Sequence, residues 1–146
     1  MMKNCKILAL IPARMGSSRF PGKPMAKIMN KPMIGHVYDN VKKNQLLLEV
    51  AVATCDDEIY NYIESIGGRV VMTSDKHERA SDRCAEALLL IEQENQIKYD
   101  IVVMVQGDEP MIHPDMISEA VSPMLDDSKI LITNLLGKIE SKEEFE

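Results

Sequence analysis

Short apolar runs alternating with helical stripes constrain this chain more than any other feature. Cys5–Ile11, ended by Pro12, together with Val50–Thr54 and Ile101–Val105, are rich in Ile, Val, Leu and Ala and show no polar alternation. That is the pattern of strands buried on both faces. Between them, apolar residues recur at helical spacing. Met33, Ile34, Val37 and Val41 follow Pro32 at a first-turn position, and Ile59, Ile63 and Ile66 are closed by Gly67-Gly68. Cys84, Ala87, Leu88 and Ile91 form a third stripe, and Ile117, Ala120, Val121 and Met124 a fourth, opened by Pro114. Strand alternating with helix predicts an α/β fold whose mostly parallel sheet is covered on both faces. Arg69–Met72 and Lys129–Leu136 read as further strands, for about five in the sheet.

The chain has 146 residues, 45% hydrophobic and 27% charged, a globular composition for one domain without repeats or linkers. A chain of this size buries roughly 68–70% of its unfolded surface and needs no staples. Its apolar runs fall far short of the ~20 residues of a membrane span, and Met1–Lys6 lead straight into a strand-like run without a secretory pattern. Cys5, Cys55 and Cys84 are odd in number and far apart, as suits thiols in a reducing cytosol. A cytoplasmic location is the expectation.

Charge is unevenly placed. Residues 1–38 hold Lys3, Lys6, Arg14, Arg19, Lys23, Lys27 and Lys31 and no acid; the whole chain carries −6, so the remainder carries −13. One basic patch on an acidic chain argues against nucleic acid as partner and for a small anion.

In an open parallel sheet, ligands bind beyond the carboxyl ends of the strands. The first such loop runs from Pro12 to Pro24. Gly16 and Gly22 permit close backbone approach, Ser17 and Ser18 add hydroxyls, and Arg14, Arg19 and Lys23 supply three cations. This is a phosphate cradle suited to several charges. It is not a Walker loop, because Pro24 stands where Ser or Thr is required after Lys23. Gln106-Gly107-Asp108-Glu109-Pro110 follows Ile101–Val105 and places Asp108 where a hard oxygen ligand for Mg2+ belongs. Thr73–Arg83 is a third, densely polar stretch. Ser81 or Asp82 is placed to cap the helix that follows; the functional reading makes Ser81 and its neighbours, Thr73 among them, contacts to a nucleotide base or ribose, with Arg83 an anchoring charge. His77 reads as a hydrogen-bonding loop residue, His36 lies off its helix's apolar stripe and is expected in solvent, and His113 has no assigned role.

Leu10-Ile11-Pro12-Ala13-Arg14-Met15-Gly16-Ser17-Ser18-Arg19-Phe20-Pro21-Gly22-Lys23-Pro24-Met25 and Val105-Gln106-Gly107-Asp108-Glu109-Pro110-Met111-Ile112 together resemble the 3-deoxy-manno-octulosonate cytidylyltransferase (CMP-Kdo synthetase) family. Asn30–Ile34 and Ser65–Met72 extend the likeness along the chain. The resemblance implies a Rossmann-like nucleotide-diphospho-sugar transferase architecture of the glycosyltransferase A type, incomplete at its C-terminus. It also implies transfer of CMP from CTP to a sugar acid, with Mg2+ as cofactor and pyrophosphate released, for lipopolysaccharide synthesis. Residues matching Arg14, Arg19 and Lys23 would serve the CTP phosphates as catalytic cations, and the one matching Asp108 would bind Mg2+. Pro12, Ala13, Gly16, Ser17 and Ser18 complete the implied nucleotide contacts after the first strand, and Gln106 joins them from the second motif.

Two departures stand beside the likeness. The family's His-Gln-Ser-Gly-Thr-(Asp or Glu)-Arg is here His77-Glu78-Arg79-Ala80-Ser81-Asp82-Arg83, so contacts to base or sugar are expected to differ. The family is also longer; its later half supplies a second metal-binding aspartate, much of the sugar-acid pocket and the homodimer interface. These residues alone are therefore expected to bind CTP weakly if at all and not to turn over. Ser141-Lys142-Glu143-Glu144 reads as a capping box opening a further helix. Spore-coat and acylneuraminate cytidylyltransferases are enzyme alternatives, and a non-catalytic nucleotide-binding module is the alternative of a different class.

Overall fold

The computed structural model describes residues 4–16 and 19–136; Ser17, Ser18 and the Ser141–Glu144 capping box lie outside the described residues. Four parallel strands, β1 (Ile7–Ala13), β4 (Glu49–Thr54), β5 (Val70–Met72) and β6 (Ile101–Met104), form one sheet in the order β5-β4-β1-β6. The helices are α1 (Met33–Lys42), α2 (Asp57–Ser65), α3 (Ala80–Asn95) and α4 (Pro114–Asp126). Alternate residues of β1 explain the layering. On one face Ile7, Ala9, Ile11 and Ala13 join a core with Ile34, Val37, Val41, Ile59, Ile63 and Ile117 from α1, α2 and α4. Leu8 and Leu10 face the other way, onto Cys84, Ala87 and Ile91 of α3. Every residue of β1 is buried, as a central parallel strand with both faces covered requires.

β1 runs through Pro12, where the sequence reading stopped it. The Leu10 carbonyl accepts from Val105 N, so the Leu10 backbone faces β6, and two residues on the Pro12 nitrogen faces the same side. The β1–β6 pairing ends at Leu10 and Met104, so the missing N–H costs no ladder bond. A second difference lies in Lys129–Leu136, expected as a strand. Among the described residues it pairs with no strand, and Leu131, Ile132 and Leu136 are at least 80% exposed. Strand composition without a neighbouring edge forms no ladder. The sheet therefore has four strands here, not five.

A two-residue hairpin, β2 (Lys27–Ile28) with β3 (Lys31–Pro32), was not foreseen. Its turn residues Met29 and Asn30 both have positive φ, 51° and 65°, the requirement of a type I′ turn. His36 of α1 binds the Ile28 carbonyl at 2.7 Å, which holds this hairpin and leaves the ring half-buried rather than in solvent. Neither Ser81 nor Asp82 caps α3, because the helix begins earlier, at Ala80 with Arg79 as its N-cap. His113 acquires a role: its Nδ1 accepts from Asp115 N at 3.1 Å and caps α4.

No helix among the described residues is long and apolar enough to cross a membrane. Leu10 is fully buried under α3, and Leu10→Ala is expected to cost about 2–5 kcal/mol, read as a lower urea midpoint with an unchanged slope.

Candidate functional site

The chain passes from β1 to β4 and β5 on one side of the sheet, then returns to place β6 on the other side of β1. That reversal opens a crevice at the carboxyl ends of β1 and β6. A cleft lies there. Pro12 and Ala13 line it from β1, Arg14, Lys23 and Pro24 from the segment beyond, and Gln106, Gly107 and Asp108 from the loop after β6. The third wall is His77, Glu78, Arg79, Ala80 and Arg83, from the segment joining β5 to α3.

Gly107 explains how closely two walls approach. It is buried, and a Cβ there would stand 2.8 Å from the Pro12 carbonyl oxygen, a backbone atom that cannot step aside. The same loop is tied from below, where Asn40 Nδ2 of α1 donates to the Pro110 carbonyl at 3.0 Å. Across the cleft mouth Lys23 Nζ meets Asp108 Oδ2 at 3.3 Å, with side chains 39% and 55% exposed. An ion pair so open to water is worth about 0–1 kcal/mol. A polyanion for Lys23, or a cation for Asp108, can separate it at little cost.

The β5–α3 wall is held more firmly. Arg83 is only 3% exposed. Its guanidinium donates to Thr73 Oγ1 at 2.6 Å, to the Ser74 carbonyl at 3.2 Å and to the His77 carbonyl at 3.5 Å. One turn further along α3, the Glu86 carboxylate accepts from Ser74 N at 3.0 Å and from His77 Nε2. The Ser74 amide, then the His77 ring and nearby Arg83, hold the Glu86 carboxyl below its ordinary range. Cys84, between them, is buried against the sheet, and desolvation pushes its thiol up to about 11; it behaves as a small apolar side chain.

Of the residues singled out from sequence, Pro12, Ala13, Arg14, Lys23, Arg83, Gln106 and Asp108 come together in the cleft lining. Thr73 is buried and bonded to Arg83. Gly16, Arg19 and Ser81 are exposed outside the lining. Sequence reasoning missed Glu86, which sits within a helix and reveals itself only through its bond to a loop nine residues back. It noticed Glu78 and Arg79 as oddities without placing them in the wall. Among the described residues no three His, Cys, Asp or Glu side chains form a metal-ligand group.

The profile of the cytidylyltransferase family matches residues 8–146. The chain is 46% identical over 140 residues to a 3-deoxy-manno-octulosonate cytidylyltransferase of Geobacter metallireducens, covering 96% of this chain and 53% of that protein. A solved CMP:2-keto-3-deoxy-manno-octonic acid synthetase complexed with CTP aligns with TM-score 0.74 at 41% identity, over 84% of this chain and 48% of that one. A cytidylyltransferase of Leptospira borgpetersenii aligns with TM-score 0.70 at 26% identity, over 85% of this chain and 50% of that one. The chain spans about half the length of the curated relatives it matches.

Two outcomes test this geometry. Gly107→Ala is expected to push the Asp108 loop off β1 and weaken ligand binding at the cleft, measured by calorimetric titration, more than it lowers the melting temperature. For Glu86, the folded pKa lies below the unfolded one, so the unfolded state binds more protons between the two values. The stabilisation is present above the ordinary carboxylate value of 4.5 and fades as pH falls through the lowered folded value. The stability gap between the unsubstituted protein and Glu86→Gln, from urea titrations at stepped pH, is expected to close toward acid. The matched profile and the architecture around this cleft make the chain a member of the cytidylyltransferase family.

Proposed function

We propose that this chain forms the nucleotide-binding part of an enzyme that transfers CMP from CTP to 3-deoxy-manno-octulosonate or a close sugar acid, releasing pyrophosphate. The observation that supports it most is the cleft itself: basic side chains gathered with the Asp108 carboxylate at the strand-order reversal, in a fold shared with a CTP-complexed synthetase. The product would be an activated sugar acid for lipopolysaccharide or capsule precursors. The longer protein would work in the cytoplasm as a homodimer.

The reaction asks little covalent chemistry of the protein. The anomeric hydroxyl oxygen attacks the α-phosphorus in line, the bond to the bridging oxygen of the β-phosphate breaks, pyrophosphate takes that electron pair, and the hydroxyl proton leaves to solvent. Arg14 and Lys23 would orient the phosphates and offset the charge building on the leaving group, with Arg19 assisting from the same loop. Asp108 fits Mg2+ as a single hard ligand, because this ion commonly takes one or two carboxylates and completes its shell with phosphate oxygens and water. Bound there, Mg2+ would neutralise phosphate charge. Lys23 would then leave Asp108 for the phosphates.

The test is titration of CTP with Mg2+ into the 146-residue chain, followed by melting, and an assay of CMP-sugar formation by a protein of the relatives' full length. Stabilisation by CTP is expected here, with turnover in the longer protein only. Lys23→Ala is expected to weaken CTP binding by about tenfold or more, and Asp108→Asn to abolish the Mg2+ dependence while leaving the fold intact. Equal stabilisation by ATP, or none by CTP, would count against the reading.

A further inference from the structure

Asp56 lies two residues beyond the end of β4 and stands as the N-cap of α2. An aspartate there ordinarily turns its carboxylate onto the first amides of its own helix, which stabilises the helix by about 0.5–2 kcal/mol. This one makes no such bond. Its Oδ2 accepts instead from the Met15 amide at 2.7 Å, across 41 residues of sequence, and from the Cys55 thiol at 3.7 Å. The Asp56 amide is fixed by Thr54 Oγ1 at 3.1 Å, from a fully buried threonine. Met15 is held on its other side as well: its carbonyl accepts from Gly22 N at 2.8 Å, with Gly22 at φ +75°.

We propose that Asp56 is a positioning residue of the cleft, its carboxylate fixing Met15 and through it the placement of Arg14 and Lys23. Arg14 precedes the anchored amide, and Lys23 follows the glycine that closes onto Met15. α2 gives up its cap so that the loop after β1 has one. The carboxylate also occupies the Met15 amide, so that amide is not offered to the ligand phosphates. This deepens the nucleotide reading and rests on it for the identity of the ligand.

The test compares Asp56→Asn with Asp56→Ser in the 146-residue chain. Asn keeps an acceptor at the right reach. Ser is a good helix cap but too short to hold Met15, so it separates loss of the anchor from loss of α2. Met15 amide exchange, followed by NMR, is expected to accelerate about tenfold or more in Asp56→Ser and little in Asp56→Asn, with α2 amides unchanged. The Kd for CTP with Mg2+, and for inorganic tripolyphosphate, is expected to rise about tenfold in Asp56→Ser and to stay within about threefold in Asp56→Asn. Unchanged Met15 exchange in Asp56→Ser, or the same affinity in both variants, overturns the proposal. If the unsubstituted chain binds neither probe, the nucleotide reading fails while Met15 exchange still decides whether Asp56 holds the loop.

Discussion

Burial of β1 on both faces is the constraint from which the site follows. With α3 on Leu8 and Leu10 and the other helices on Ile7, Ala9 and Ile11, the strand has no freedom to twist or slide, and pairing with β4 and β6 fixes its edges. Its carboxyl end is therefore a fixed post. Pro12 can sit there because β6 has already ended, and Gly107 can pass within van der Waals range of the Pro12 carbonyl because it lacks a Cβ. The two loops that line the cleft are thus set against each other by backbone contact before any side chain takes part.

Each loop is then fastened by a polar side chain reaching up from an adjoining element. Asn40 of α1 holds Pro110, Arg83 and Glu86 of α3 hold residues 73–77, and Asp56 at the head of α2 holds Met15. All of these bonds end on at least one main-chain group or on a side chain beside it, which gives direction that apolar packing does not. Among the described residues, no buried side-chain polar atom lacks a partner, in line with the cost of leaving one unmade. The exposed Lys23–Asp108 pair contrasts with this: it bridges two fastened loops and is itself weakly held.

The sequence made the sheet legible where burial on both faces erased polar alternation, as in β1 and β4; β6 reads the same way from its apolar composition, although Val102 and Met104 are exposed on its outer face. It made the cleft legible because the loops after those strands concentrate Arg, Lys, Gly and Asp. Lys129–Leu136 misled for the converse reason. Its composition suits a strand, but pairing depends on a partner elsewhere in the chain, which local composition cannot register. The β2–β3 turn escaped because Met29-Asn30 adopts positive φ without glycine. Glu86 and Asp56 escaped since each sits at a helical position whose ordinary reading is local, a solvated helix face or a cap, while its actual partner is a loop.

Burial also sorts the cations that converge on the cleft. A guanidinium that is 3% exposed and shared among three loop acceptors is committed to the fold, and withdrawing Arg83 toward a ligand would orphan Thr73 and the loop carbonyls in a low-dielectric setting. Arg14 and Arg79 line the same cleft but are exposed, so they can engage an anion without giving up a buried bond. Lys23 gives up only an open ion pair. The cleft thus has a firm basic wall behind and movable cations in front, and charge brought by a ligand is met by the residues whose rearrangement costs least.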